Sequence, residues 1–260
     1  MEGLDLSETA SLAQLASLRY RELVCYPRFM EEEFQRRIKE LKSLEVEALR
    51  LTGCKQILDL KVLGKGYSSV VVMAIVGGGG RCALKLRRLD SGKPDTSHEV
   101  RMLAMANSVE VGPRLLDQTA NFILMELVEG SLIDEWVCNL KGRGYRRRLK
   151  RVVRALLEQC RSLDVLGLDH GELSRATKHV LVGMEDRPFL IDFEKSSLGR
   201  RASNVTSLCQ YFFIGGRVAS KVRRLLGEVD RRRLLGSLQQ YKAEQSDENF
   251  REILSVLSLL

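Results

Sequence analysis

A chain of 260 residues with 44% apolar side chains is long enough to bury a core as one large domain or two small ones, and 29% charged residues sets it apart from membrane, fibrous and low-complexity chains. The formal net charge of +8 favours an anionic partner, whether nucleic acid, nucleotide or an acidic surface, and says nothing about fold. No apolar run approaches the ~20 residues that span a bilayer, the acidic start "MEGLDLSETA" has no signal-peptide pattern, and the six cysteines include no Cys-x-x-Cys pair, so a cytoplasmic protein with reduced thiols and no membrane contact is expected.

In chain order, residues 7 to 50 read as two helices. Ser7 is a candidate N-cap ahead of Leu12, Leu15 and Leu18, "YPRF" interrupts, and a charged amphipathic segment runs from Met30 to Leu44. This gives a helical N-terminal extension over 1–50. From Ile57 the pattern is strand-like, with "ILDLKVLGKGYSSVVVMAIV" and "CALKLRR" joined by "GGGG". "TSHEVRMLAMAN" returns to helical period behind Thr96 or Ser97, and "PRLLD" and "NFILMELVEG" read as two strands. After Gly130 the chain is mainly helical apart from "HVLV" and "PFLID".

The residues that carry chemistry begin with "GKGYSSV". Gly64 and Gly66 let backbone N–H groups approach a phosphate closely, although glycine in a strand more often marks a bulge. Lys85 is flanked by apolar residues in "CALKLRR" and is costly to bury unless an anion meets it; an edge lysine that snorkels is the plainer reading. The stretch "LDHGELSRATKHVLV" then places His170, Glu172, Arg175, Lys178 and His179 within ten positions before an apolar run.

The consecutive order of these signals resembles the protein-kinase superfamily: glycine-rich hairpin, strand lysine, helix with Glu99, strand ending "MELV", a His-x-acid-Leu loop, and "IDFE". The resemblance covers about residues 56 to 214 and is nearer to the compact atypical kinases of RIO and KEOPS type than to the signalling kinases. It implies an α+β, bilobal fold with a small β-rich N-lobe over 51–130 and a helical C-lobe over 131–260. It implies ATP and Mg²⁺ as cofactors. Lys85 takes the place of the phosphate-binding lysine and Glu99 of its helix partner. Gly64, Gly66 and Val70 cover the nucleotide, and Glu126 and Val128 face adenine. Glu172 stands at the position of the catalytic Asp, and Asp192 at that of the metal-binding Asp.

Departures from the family pattern are as informative. Glu172 is one methylene longer than Asp, Gly171 replaces Arg, Ser69 stands at the third glycine, and no A-P-E segment follows. The metal-binding Asn is missing: counting from Glu172 gives Thr177, whereas anchoring on "VLV" gives His179, the assignment adopted here, with Lys178 available to a phosphate. Imidazole is a softer ligand than Mg²⁺ favours. Glu194 in "DFE" replaces a glycine, as in small-molecule kinases of aminoglycoside and choline type.

His170 is expected to lie under Phe193 and fix the loop, and His98 to be exposed or capping. The run "KGRGYRRRLKRVVRALL" puts Arg147, Lys150, Arg151 and Arg154 at helical spacing. A solvated helix face is the default reading, and contact with RNA or a ribonucleoprotein the sharper one. The resulting expectation is an ATP-dependent atypical serine/threonine kinase acting on a protein substrate. The alternatives are a small-molecule kinase, and a nucleotide-binding pseudokinase or ATPase acting on RNA or a ribonucleoprotein.

Overall fold

A computed structural model describes residues 8–260; the expected cap at Ser7 lies outside the described residues. The protein is α+β, and it divides into two units. Unit 1 holds the described residues to Val100 together with Arg114–Leu127; unit 2 holds Arg101–Pro113 and Val128–Leu260.

Unit 1 contains β1 (Glu8–Ser11), α1 (Leu18–Val24), α2 (Glu31–Ser43), β2 (Val46–Leu51), β3 (Lys55–Ile57), β4 (Leu60–Val62), β5 (Gly64–Lys65), β6 (Ser69–Val76) and β7 (Gly80–Arg87). After a helix α3 (Ser97–Asn107) it adds β8 (Leu115–Gln118) and β9 (Phe122–Glu126). The main sheet runs β1-β2-β6-β7-β9-β8 in antiparallel register, with β5 paired to β6 and a separate β3–β4 hairpin. The "GGGG" turn joins β6 to β7, and Gly78 and Gly79 adopt positive φ (77° and 88°) that a side chain would resist.

The first fifty residues differ from the two-helix expectation. Helix α2 matches, but residues 8–11 and 46–51 are strands that add to the sheet beside β6. In "VEALRL", Val46, Leu49 and Leu51 are buried, and pairing with a long β-branched strand outweighs the helix propensity of Glu, Ala and Leu. Helix α2 is welded to the same sheet. Arg37, 1% exposed, donates to Glu33 (2.7 Å), the Val24 carbonyl (2.7 Å) and Asn121 Oδ1 (2.9 Å), while Glu40 accepts from Asn121 N–H (3.0 Å). Burial pulls the Arg37 pKa down to about 10, which still leaves it charged at neutral pH.

Unit 2 contains β10 (Gly130–Leu132), α4 (Ile133–Asn139), α5 (Tyr145–Leu166), β11 (Val180–Gly183), β12 (Pro188–Leu190), α6 (Asn204–Cys209), α7 (Arg217–Leu226), α8 (Arg231–Ala243) and α9 (Asp247–Val256). A π-helical turn, Gln210–Ile214, follows α6. The short strand β10 was not expected; it pairs with β11, which pairs with β12. Helix α5 buries Leu149, Val152, Val153, Leu156, Leu157, Cys160 and Leu163 at helical spacing, and it contacts β12 and α6. Gly167 closes α5 at φ 75°, with its N–H on the Asp164 carbonyl (3.1 Å) and Leu168 N–H on that of Leu163 (2.9 Å). That turn releases the chain into the loop 168–179.

Cys25, Cys82, Cys160 and Cys209 are buried free thiols, and Cys54 and Cys138 are exposed. Among the described residues no helix is long and apolar enough to cross a membrane.

Candidate functional site

In unit 1 the glycine-rich hairpin is closed tightly. Gly64 lies opposite Val71, and Gly66 N–H is spent on the Ser69 carbonyl (2.8 Å). Arg88, held by Asp90 (2.8 and 2.7 Å), donates to the Gly66 carbonyl (3.1 Å) and takes the Ser68 carbonyl through its own N–H (2.8 Å). Val70 is buried opposite Leu86 on β7.

Lys85 is central in the sheet, between Val71 of β6 and Ile123 of β9. It is only 5% exposed, so its ammonium needs a partner. Glu99 in the first turn of α3 meets it at 2.5 Å, where a carboxylate also suits the positive end of the helix. The start of that helix is fixed by Asp95, which accepts from Ser97 N–H (2.9 Å), and by Thr96 Oγ, which donates to the Thr119 carbonyl (2.7 Å). His98 is exposed. Glu126 ends β9, its N–H on the Arg114 carbonyl (2.8 Å); Val128 belongs to unit 2.

In unit 2 the loop 168–179 and the end of β12 bring together Glu172, His179 and Asp192. Glu172 Oε2 lies 3.6 Å from His179 Nε2, and Asp192 Oδ2 lies 3.9 Å from His179 Nδ1. One ligand atom from each falls within 4.8 Å of the others. His179 is 8% exposed, and its Nδ1 has no hydrogen-bond partner. Asp192 adopts φ 69°, a left-handed conformation that costs a non-glycine residue energy and recurs at functional sites.

The loop owes its shape to a buried polar frame. Asp164 at the end of α5 accepts from Asn204 N–H and Nδ2 (both 2.8 Å), Val205 N–H (3.2 Å) and Tyr241 OH (3.0 Å). Asn204 in turn accepts from His170 N–H (2.9 Å) and donates to the Leu168 carbonyl (2.7 Å). Burial pushes the Asp164 carboxyl above its ordinary range. His170 lies against Phe193, ring centroids 5.0 Å apart, as expected, with Nε2 at 3.2 Å from the Ile191 carbonyl. Burial, with His179 beside it, pulls its pKa down to about 4; it is a neutral packing residue at physiological pH.

Of the two candidates for the missing Asn, Thr177 turns away to Tyr211 OH (2.9 Å) and His179 joins the cluster. Lys178 is exposed on the 3-10 segment Leu173–Lys178. Sequence reasoning missed Lys195, whose ammonium bonds Glu172 Oε1 at 2.8 Å and is raised in pKa by that contact. It also missed Arg200. Gly171 sits at φ 85°, and a Cβ there would come within 2.5 Å of Arg200 Nη2, so the arginine absent from the loop has its space taken by one from a later segment. Arg200 binds Asp169 (2.9 Å) and the Lys195 carbonyl (2.7 Å).

These three side chains could hold a metal ion, and an imidazole among the donors is a softer ligand than Mg²⁺ prefers.

The basic run on α5 is largely occupied within the unit. Lys150 donates to the Ser258 carbonyl (2.9 Å), Arg151 to Asp186 (3.0 Å), and Arg154 to Glu158 (2.8 Å) and the Leu259 carbonyl (3.3 Å). Arg147 remains exposed.

No family model matches the chain. A stretch of 102 residues, 39% of this chain, is 29% identical to an uncharacterized protein of Methanocaldococcus jannaschii and covers 83% of that protein.

Proposed function

We propose that the protein is an ATP-dependent phosphotransferase of atypical serine/threonine kinase type. In this reading unit 1 plays the part of the small lobe and unit 2 that of the large lobe of a bilobal kinase-like fold. The observation that carries it is the buried Lys85–Glu99 pair at 2.5 Å, which follows a closed glycine-rich hairpin and precedes the loop bearing Glu172 and Asp192 in the chain.

The nucleotide supplies an activated phosphoryl group, so the chain's own residues have only to position it and answer charge. Lys85, held by Glu99, binds the phosphates. Gly64, Gly66, Val70, Glu126 and Val128 cover the nucleotide, and the exposed Lys178 offers a second cation to a phosphate. Glu172 accepts a hydrogen bond from the acceptor hydroxyl and orients it. His170, neutral and buried, sets the loop.

A second reading, a nucleotide-binding module that transfers nothing, is favoured by one contact: Lys195 already occupies Glu172 Oε1 at 2.8 Å. Two measurements test both. Lys85→Ala, checked for retained fold by circular dichroism, weakens nucleotide binding by calorimetry; unchanged affinity overturns the nucleotide site. Labelled γ-phosphate then moves to protein in a mixture of proteins, metabolites and RNA. Label in a metabolite identifies a small-molecule kinase, and label that stays in nucleotide or inorganic phosphate supports the non-transferring module.

A further inference from the structure

We infer that Glu172, His179 and Asp192 form a three-ligand site for a first-row transition cation, which the chain binds without nucleotide and selects over Mg²⁺. This refines the nucleotide-dependent reading by naming the class of ion.

Three features support it. The ligand atoms lie within 4.8 Å of one another, and an ion with bonds of ~2.1 Å holds three ligands roughly 3.0–3.6 Å apart, so the set closes with side-chain shifts on the order of an ångström. Next, the side chain of His179 is nine-tenths buried, and its Nδ1 lacks any hydrogen-bond partner while lying 3.9 Å from Asp192 Oδ2. A buried polar nitrogen left unmatched calls for a ligand. Finally, Glu172 is half committed: Lys195 holds Oε1 at 2.8 Å, which leaves Oε2 against the His179 ring, 3.6 Å from Nε2, and Oε2 has to swing past that edge to share an ion with Nδ1. Such outer contacts fix the ligands of metal sites. The extra methylene of Glu172 thus acquires a purpose. Its Oε2 serves the ion, and Oε1, already bonded to Lys195, has a second lone pair for the acceptor hydroxyl.

Two carboxylates and one imidazole are borderline in softness, too soft for Mg²⁺ to prefer and too hard for a thiolate-seeking ion. Water completes the coordination.

The test uses the full chain, stripped with a chelator and titrated with Mn²⁺, whose free-ion paramagnetic resonance signal falls on binding. One site per chain is expected in the absence of nucleotide. Zn²⁺ displaces Mn²⁺ at equal or lower concentration, following the general affinity order, whereas Mg²⁺ requires a large excess. His179→Ala and Asp192→Asn each lower Mn²⁺ affinity at least ~10-fold, a loss typical of disturbed metal sites. His179 is buried, so Asp192→Asn, at a more open position, guards against misfolding. His179→Asn supplies an oxygen donor and abolishes the preference over Mg²⁺. Displacement of Mn²⁺ by equimolar Mg²⁺, or unchanged affinity in both Asp192→Asn and a folded His179→Ala, overturns the inference. Nucleotide binding is followed separately through Lys85→Ala in chelator, so loss of the nucleotide reading and loss of the metal site are read independently.

Discussion

Unit 1 and unit 2 each hold a charged cluster, and the two are finished to different degrees. In unit 1 the Lys85 ammonium and the Glu99 carboxylate meet at 2.5 Å with little exposure on either side. Cation and anion answer each other. In unit 2, two carboxylates surround an imidazole with an unmatched nitrogen, and Lys195, the cation nearest to them in kind, reaches Glu172 from a side chain 66% exposed. A closed pair is structure that can also bind a phosphate. A partly exposed set of two carboxylates and an imidazole can take up a ligand, and chemistry is expected there.

The largest contrast should be kinetic. Glu172→Gln keeps the shape of the side chain and removes its charge, so transfer should fall by roughly 10²- to 10⁴-fold, the usual range for a positioned acid or base, with nucleotide affinity spared. Glu172→Asp installs the Asp of the protein-kinase pattern but withdraws the carboxylate by one methylene from both His179 and Lys195. It should be slower than the parent. Rapid transfer by Glu172→Gln, measured in single turnover, would break the comparison by showing the open set to be idle.

A thermodynamic contrast comes next. Removing Glu99 takes the carboxylate at 2.5 Å away from a buried ammonium, and breaking a buried pair from one side costs about 3 kcal/mol or more. Removing Glu172 leaves Lys195 in water, where an exposed pair is worth less than about 1 kcal/mol. Urea denaturation of Glu99→Ala and Glu172→Ala should show that difference. Replacing both Lys85 by Met and Glu99 by Leu should recover most of the loss, because the pair's cost is desolvation as much as its gain is Coulombic. Equal destabilisation by the two single substitutions would mean that the unit 2 cluster is as closed as the unit 1 pair.

Much of this was legible in the sequence, for reasons that can be named. Continuous apolar runs bounded by turn residues marked β6, β7, β9, β11 and β12, and the four glycines marked the turn between the first two. Lys85 and Glu99 were paired through the resemblance to the protein-kinase pattern, whereas the plainer reading of Lys85 as a snorkelling edge lysine fails because β7 is central in the sheet and the residue is buried. What escaped detection depended on tertiary pairing. The segment "VEALRL" has helix-forming composition and is a strand only because β6 is there to pair with it. Asn204 and Asp164 frame the loop from 40 positions apart, and no local spacing marks them. Lys195 and Arg200 read as a basic connector, yet one meets Glu172 and the other fills the space over Gly171. The α5 basic stripe shows what spacing leaves out: its periodicity invited a solvated-face reading and a nucleic-acid reading, and Arg151 and Arg154 also bond neighbours within unit 2.

The smallest effect concerns two carboxylates of unit 2 that differ as the two clusters do. Asp186 is answered: Arg148 bonds it twice at 2.7 Å, Arg151 lies at 3.0 Å, and Trp136 Nε1 donates at 3.1 Å. Its hydrogen bond to Arg148 above all, against some desolvation, holds its carboxyl below the ordinary value of 3.8. Asp164 is only hydrogen-bonded, and desolvation raises it above 3.8. The two therefore pull stability in opposite directions. For Asp186 the folded state binds its proton less tightly than the unfolded chain, so its contribution is complete above the unfolded pKa and disappears as pH falls through the lower folded one. For Asp164 the folded state keeps the proton longer, so stability from this group declines as pH rises from 3.8 toward its higher folded value. Hence the deficit of Asp186→Asn relative to the parent should narrow as pH drops below about 4, the usual carboxylate range, whereas that of Asp164→Asn should be smaller above that range than the number of its hydrogen bonds implies, since Asn spares the cost of burying a charge. Chemical denaturation across the acid range reads both slopes. If the Asp186→Asn deficit is flat with pH, the arginines on α5 are not committed to Asp186, and an anion-binding face becomes the better account of that helix.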